Sequence, residues 1–270
     1  MKVWAEALVK EGAILADPTS QIYNNFPAMV TALQNREVDG VTMPVNEWFA
    51  IQEKVKFNRF VFNVIEGSIS DEYVLLVHQD SGLTKIEDLR GRSLNLLDQP
   101  RLCLALLWLD TLLLEQGLKP SRILCSRVTE QLKLTKTVLP VFFRQTDACL
   151  VTRKGFKTMG ELNPQVYRQL RVLASSPELV PTGFFFRAGY PKAQQDRIVG
   201  ETVRVHTTAS GQQVLTVFQT ERLEEHPASV LDNAFALMER HRRLSAGTNS
   251  PKLAGTPIDL SEPATRGGGK

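Results

Sequence analysis

Cysteine and histidine are scarce in this sequence, and the few that occur are scattered. Its 270 residues include 3 cysteines and 4 histidines. Cys103, Cys125 and Cys149 lack the close spacing of a disulfide framework or a zinc site. The histidines likewise form no pair with the spacing of metal ligands. We therefore predict neither a metal site nor a bound cofactor.

The sequence motifs of several enzyme classes are also missing. There is no glycine-rich phosphate loop, no Gly-x-Gly-x-x-Gly dinucleotide fingerprint and no Gly-x-Ser-x-Gly nucleophile elbow. No stretch reaches the roughly 18 apolar residues of a membrane span. The net charge of +3 is too small to favour nucleic acid as a partner. These absences favour a protein that is not an enzyme and binds no nucleic acid.

The charge that is present is distributed unevenly. Residues 80–180 contain 15 Lys and Arg against 10 Asp and Glu. This excess of positive charge in the middle of the chain favours an anionic ligand there. A basic surface without any ligand would have the same composition, so both interpretations stay open.

Strands alternate with helices along most of the chain. Residues 29–43 and 141–151 show this most clearly, because each has a short helix, a polar turn containing Asp, and a buried strand. Such alternation predicts an α/β protein with mainly parallel sheets, flanked by helices and joined by right-handed crossovers. Ser245–Lys270 is rich in Gly, Pro, Ser and Thr and is predicted to be a disordered tail. The predicted strands are residues 13–16, 38–43, 60–65, 73–78, 93–97, 122–125, 146–151, 167–173 and 183–187. The predicted helices are residues 1–10, 28–36, 45–55, 86–89, 102–116, 129–139, 193–210, 212–218 and 228–243.

Loops at the ends of predicted elements contain the candidate ligand-binding residues. In an open α/β sheet, a ligand binds beyond the carboxyl ends of the strands, where helices begin with free N–H groups. The candidates in such loops are Tyr23, Asn46, Glu47, Trp48, Gln99, Arg101, Thr152 and Arg153. An arginine pair can clamp a carboxylate or a phosphate through paired hydrogen bonds. Tyr and Trp can cover the apolar part of a ligand.

Several of these candidates also have a simpler interpretation. Trp48 can be a core aromatic residue. Glu47 can lie in a first helical turn because a carboxylate is favourable there. Arg101 and Arg153 can be solvated surface charges. Their occurrence together, in equivalent loops of two similar halves, is what favours a cleft.

Several segments together resemble a known family, the phosphate/phosphonate-type substrate-binding proteins of ABC transporters, which have the type 2 periplasmic binding protein fold. The resemblance covers about residues 1–240 and is carried by five segments: Leu33–Val41, the strand at Tyr73, Leu83–Arg92, Thr146–Val151 and Leu170–Pro177. It implies two lobes, one made of residues 1–76 and 182–244 and the other of residues 77–181, with the tail at residues 245–270. It also implies that Tyr23 and Tyr73 lie at the ligand.

The resemblance implies a solute-binding protein that captures a small anionic ligand in the cleft between the lobes. The ligand would be phosphate-like, phosphonate-like or another oxyanion. Asp98–Cys103 stands where the family has a Ser/Thr-rich loop and has no hydroxyl side chain, so Arg101 is available to a different oxyanion.

The partner implied by the resemblance is an ABC permease at the membrane, and the implied location is the periplasm. The chain shows no secretion signal and starts after the family's first strand, so we expect a truncated or remodelled N-terminus. We expect a monomer. The alternative function is a ligand-sensing regulatory domain on the same fold, not linked to transport.

Overall fold

Two separate β-sheets with flanking helices make up the computed structural model, which describes residues 21–247. The strands are β1 (Gly40–Pro44), β2 (Phe57–Val64), β3 (Asp71–His78), β4 (Ser93–Leu97), β5 (Arg127–Gln131), β6 (Ala148–Thr152), β7 (Leu170–Leu179), β8 (Thr182–Arg187) and β9 (Arg222–Glu225). The helices are α1 (Phe26–Gln34), α2 (Val45–Ile51), α3 (Ala105–Glu115), α4 (Ser121–Leu124), α5 (Leu134–Phe142), α6 (Arg153–Leu162), α7 (Pro164–Gln169), α8 (Lys192–Arg204), α9 (Ala209–Val217) and α10 (Asp232–Gly247). Short 3₁₀ turns occur at Ile86–Leu89, Pro100–Leu102, Val205–Thr207 and Ala228–Leu231. The predicted α/β class is confirmed.

The first sheet has four strands in the order β1–β8–β2–β9. β8 lies between β1 and β2 and runs antiparallel to both, and β9 runs antiparallel to β2. Aromatic residues form much of its interior, and both Phe62 and Phe185 are completely buried. Large aromatic side chains suit strands because they cover the pleated surface on which a helix packs.

The second sheet has five strands in the order β5–β4–β6–β3–β7. β5, β4 and β6 are parallel, and β3 runs antiparallel to both of its neighbours, β6 and β7. Residues 73–77 of β3 have no exposed surface. A nearly continuous apolar strand is expected where helices or loops cover both faces of a sheet.

The prediction of mainly parallel sheets is wrong, because most neighbouring strands run antiparallel. Every strand pair of the first sheet in residues 21–247 is antiparallel, and only β5, β4 and β6 form parallel pairs. Alternation in the sequence shows that helices join the strands, but not which strands become neighbours. β8, which returns from the second sheet, separates β1 from β2, so these two parallel strands do not pair.

The segment between α3 and α5 differs from its prediction. The sequence predicts a strand at residues 122–125 and a helix at residues 129–139. The structure instead has the short helix α4 at the first segment, and β5 covers the start of the second. Val128 and Thr129 pair in register with β4. Both are β-branched, and the free edge of β4 decides their conformation more than local pattern does.

Other elements differ from the prediction in their bounds or were missed, including helix α6. The strand predicted at residues 167–173 begins only at Leu170, after the short helix α7. β9 was not predicted, because its polar sequence, Arg222–Glu225, has no run of apolar residues. Helix α10 continues to Gly247, past the predicted start of the tail at residue 245. The rest of that tail and the elements predicted at residues 1–10 and 13–16 lie outside the described residues.

The chain passes from one sheet to the other twice, at residues 65–70 and again at residues 180–181. All of β3 pairs within the second sheet. The chain therefore enters the second sheet before residues 76–77, where the resemblance implies the boundary between the lobes. One hydrophobic core extends through both sheets. None of the helices in the described part of the chain is both long and apolar enough to cross a membrane.

Candidate functional site

The candidate site lies where the two sheets meet at the chain crossings. β1 ends at Pro44, which pairs with Thr182 at the start of β8. In the second sheet, Thr152 at the end of β6 pairs with Tyr73 near the start of β3. β4 is parallel to β6 and therefore ends at the same edge. The loops that leave these strand ends are the positions where open α/β sheets bind ligands.

A buried carboxylate, Asp71, is the centre of this region. Its side chain is 1% exposed and accepts a hydrogen bond of 2.7 Å from Nε of Arg101. Nη2 of Arg101 lies 2.6 Å from the same oxygen, and Nζ of Lys154 lies 3.6 Å from the other. Arg101 comes from the turn after β4, and Lys154 from the first turn of α6. Three elements of the second sheet thus place one carboxylate between two cations.

Lys154 and Tyr73 tie the crossing segment to the second sheet. Nζ of Lys154 also donates to the carbonyl oxygens of Ile65, at 2.6 Å, and Ser70, at 3.2 Å. The hydroxyl of Tyr73 donates to the carbonyl oxygen of Arg101 at 3.0 Å. Burial raises the pKa of Tyr73 well above its usual value, so the ring stays neutral and acts as a donor.

A second ion pair lies beside the first. The guanidinium of Arg153, the first residue of α6, pairs through Nε and Nη2 with both carboxylate oxygens of Glu72. Nη2 also donates to Oγ of Ser175 at 2.8 Å. The hydrogen bond from Arg153 lowers the pKa of Glu72. Thr152, directly before, caps α6 by accepting a hydrogen bond of 3.0 Å from the backbone N–H of Gly155.

The Glu72–Arg153 pair predicts a pH-dependent contribution to stability. Because the pKa of Glu72 is lowered from 4.5 in the folded protein, the contribution is present above that value and is lost as the pH falls through the folded-state pKa. Both side chains are partly exposed, so we expect at most about 1 kcal/mol at neutral pH. Urea unfolding of the wild type and of Arg153→Gln at neutral and strongly acidic pH measures this difference. A difference of the same size at both pH values would contradict the assignment.

Cys103 connects the loop after β4 with the first sheet. Its thiol donates to the carbonyl oxygen of Pro181 at 3.2 Å, and the backbone N–H of Val45 donates to the same oxygen at 2.8 Å. Burial raises the pKa of Cys103 to about 12 and also raises the pKa of Glu47. The thiol is therefore neutral, and Glu47 lies in a partly desolvated position beside it. These contacts hold the loop against the start of α2.

Trp48 lies inside the hydrophobic core. It is 6% exposed and stacks on Phe235 of α10, with ring centroids 4.8 Å apart, and on Phe185 of β8, at 5.7 Å. Its indole Nε1 is buried without a hydrogen-bond partner. These contacts fit the interpretation of Trp48 as a core aromatic residue.

The remaining predicted site residues are more exposed. Asn46 and Gln99 are solvent-exposed, at the start of α2 and just before the turn that contains Arg101. Tyr23 is half-buried against the core, and its hydroxyl donates to the side chain of Gln21 at 3.1 Å. The structure thus brings Tyr73, Arg101, Thr152 and Arg153 together, and Asn46 and Glu47 lie near Cys103 at the start of α2.

The sequence analysis does not include two charged residues of this region, Asp71 and Lys154. Asp71 is two residues before Tyr73, and Lys154 directly follows Arg153, so both lie next to candidate ligand-binding residues. The missing signal was charge complementarity. A carboxylate at the buried end of an apolar strand requires a cation nearby.

Other charged clusters in the described residues are self-paired or too small for a metal. No group of three or more His, Cys, Asp or Glu in residues 21–247 could hold a metal ion. A groove of about 550 Å³ lies beside β9 and α8. Its cations are paired with its own carboxylates, since Arg59 contacts Asp196 and Glu225, and Arg222 contacts Glu224. This groove is therefore a weaker candidate than the edge where the sheets meet.

Comparison with known proteins identifies a matching family. A family model described as the periplasmic substrate-binding protein of a phosphonate ABC transporter matches residues 11–230. No curated protein matches the chain in sequence.

Solved structures match at low identity and high coverage. A binding-protein component of an ABC phosphonate transporter from Pseudomonas aeruginosa has 15% identity and a TM-score of 0.64, covering 92% of this chain and 83% of that one. PhnD1 from Prochlorococcus marinus, in complex with methylphosphonate, has 14% identity and a TM-score of 0.62, covering 90% and 91%. A Xanthomonas citri protein bound to ATP has 14% identity and a TM-score of 0.67, covering 91% and 92%. At such identities these structures show a shared fold and nothing about the ligand of this chain.

Proposed function

Because the chain belongs to the family of periplasmic substrate-binding proteins of phosphonate ABC transporters, we propose that it binds a small anionic solute between its two sheets and presents it to a membrane permease. The family has a solute-binding role and the type 2 periplasmic binding protein fold predicted from the sequence. The nature of the solute, its position and the residues that hold it are our proposal.

The observation that carries the proposal is the convergence of three cations at one edge. Arg101 follows β4, and Arg153 and Lys154 follow β6. These two strands are parallel neighbours, so their carboxyl ends lie side by side at the place where the chain crosses to the first sheet. An oxyanion at this edge would meet guanidinium groups that can bind it with two hydrogen bonds each.

The opposite wall of the proposed site comes from the first sheet. Asn46 and Glu47 open helix α2 directly after β1. Gln99 and Thr152 lie on the side of the cations. The resemblance places Tyr23 and Tyr73 at the ligand. Tyr23 is partly exposed, whereas Tyr73 has no exposed surface and supports the turn of Arg101 through its hydroxyl. We propose that the lobes correspond to the two sheets and close by rotation about residues 65–70 and 180–181.

Thermal unfolding with a panel of anions tests the proposal. The panel is inorganic phosphate, methylphosphonate, methanesulfonate and acetate. A ligand bound only by the native protein stabilises it by about 2.7 kcal/mol at 100 times its dissociation constant, so at least one anion should raise the melting temperature. Arg153→Gln should reduce this shift. Arg59→Gln, which removes a cation from the groove beside β9, should leave it unchanged. If no anion shifts the melting of the wild type, the proposed function is wrong.

A further inference from the structure

The charges at the proposed site nearly cancel. Three cations, Arg101, Arg153 and Lys154, are paired with two carboxylates, Asp71 and Glu72. The five groups together carry a single net positive charge. An ionised Glu47, across the site, would reduce that charge to zero. Repulsion from the two carboxylates acts twice as strongly on a fully ionised phosphonate, which has two negative charges, as on a monoanion.

We propose that Asp71 selects the charge of the ligand, so that the site accepts a solute with no more than one net negative charge, a monoanion or a zwitterion, and discriminates against dianions. This inference rests on the proposed function and specifies its ligand class. Asp71 acts because its carboxylate permanently neutralises part of the positive charge that a dianion would require.

The position of Asp71 makes this neutralisation permanent. Its side chain is 1% exposed, and its backbone lies in β3, opposite Leu179 of β7. Its contacts with Arg101 and Lys154 hold the carboxylate in this position. Arg101 and Lys154 are likewise held, since Lys154 donates to two backbone carbonyl oxygens of the crossing segment. An incoming ligand therefore meets these cations with their carboxylate partner in place.

The inner side of the Arg101 guanidinium is already occupied. Nε and Nη2 both face the same oxygen of Asp71, at 2.7 and 2.6 Å. An incoming anion therefore has to share this guanidinium with a carboxylate that is already bound to it, and the resulting repulsion grows with the charge of the anion.

Two ligands of the same shape and different charge test the inference. Methanesulfonate is a monoanion, and methylphosphonate is a dianion in alkaline buffer. Isothermal titration of the wild type in that buffer should show that methanesulfonate binds at least about tenfold more tightly, which corresponds to about 1.4 kcal/mol. Asp71→Asn removes one negative charge and should shift the preference about tenfold towards methylphosphonate.

Two control variants test whether the preference depends on the net charge at this site and not on the loss of a carboxylate elsewhere. Asp71→Asn combined with Lys154→Gln restores the net charge and should restore the preference for methanesulfonate. Asp196→Asn removes a carboxylate of α8 that also lies between two cations, Arg59 and Lys192. It should leave the preference between the two ligands unchanged. If Asp71→Asn does not fold, Glu72→Gln raises the charge at a partly exposed position and should shift the preference in the same direction, by about threefold.

The outcomes distinguish the two proposals. Binding with equal affinity for the two ligands, or a preference that Asp71→Asn and Glu72→Gln leave unchanged, would overturn the role of Asp71 and leave the proposed function standing. If neither these ligands nor the rest of the anion panel bind to the wild type or to the variants, the proposed function itself is overturned.

Discussion

Replacing Arg101 by alanine is expected to lower the free energy of unfolding by about 3–5 kcal/mol. The reason is the position of its partner, because Asp71 is 1% exposed and would lose the guanidinium that now lies 2.6 Å away. Lys154 remains at 3.6 Å and should place the loss near the lower end of that range. Urea unfolding followed by circular dichroism at neutral pH measures it.

Arg153→Ala is the matched control for this substitution. Arg153 also pairs with a carboxylate in the same region, but its side chain is 44% exposed and that of Glu72 is 25% exposed. Exposed pairs contribute about 0–1 kcal/mol, so the two arginine variants should differ clearly. Asp71→Asn combined with Arg101→Ala should recover most of the lost stability, because no buried charge is left unpaired. A loss below about 1 kcal/mol for Arg101→Ala alone would contradict the buried ion pair.

Trp48→Ala is expected to cost a similar amount, about 3–5 kcal/mol. The indole lies against Phe235 of α10 on one side and Phe185 of β8 on the other, with ring centroids at 4.8 and 5.7 Å. Its removal would leave a cavity between the first sheet and the C-terminal helix. The cost includes the lost burial of a large apolar surface and the cavity itself.

Trp48→Phe separates packing from ligand contact. Nε1 of Trp48 has no hydrogen-bond partner, so phenylalanine loses volume but no polar interaction, and we expect a cost below about 1.5 kcal/mol. If Trp48 is a core residue only, the affinity for the best anion of the panel should not change. An affinity that falls while stability is retained would show that the indole contacts the ligand.

Much of the fold could be predicted from local patterns. The strand at Ser93–Leu97 was predicted with its observed boundaries, and the buried strand at residues 73–78 differs only at its start. Both are short apolar runs next to turn residues, and such runs have few alternatives to a buried strand. The segment around β5 was mispredicted because its β-branched residues fit either element, and the neighbouring edge of β4 decided between them.

Less of the candidate site could be predicted. Arg101 and Arg153 were singled out because they follow predicted strands, but their pairing with Asp71 and Glu72 could not be read from the sequence. Asp71 is 30 residues from Arg101 and 83 from Lys154 along the chain. Such distant residues meet only when β3, β4 and β6 take their places in one sheet.

The sequence by itself determined the α/β class, the order of most strands and helices, and the family resemblance, because these depend on local periodicity and on short segments in a fixed order. Only the tertiary structure decided the strand directions, the crossings at residues 65–70 and 180–181, and the charge balance at the edge where the sheets meet. Strand direction follows from which strands become neighbours. Charge balance follows from which side chains become buried together, and both are properties of contacts between distant parts of the chain.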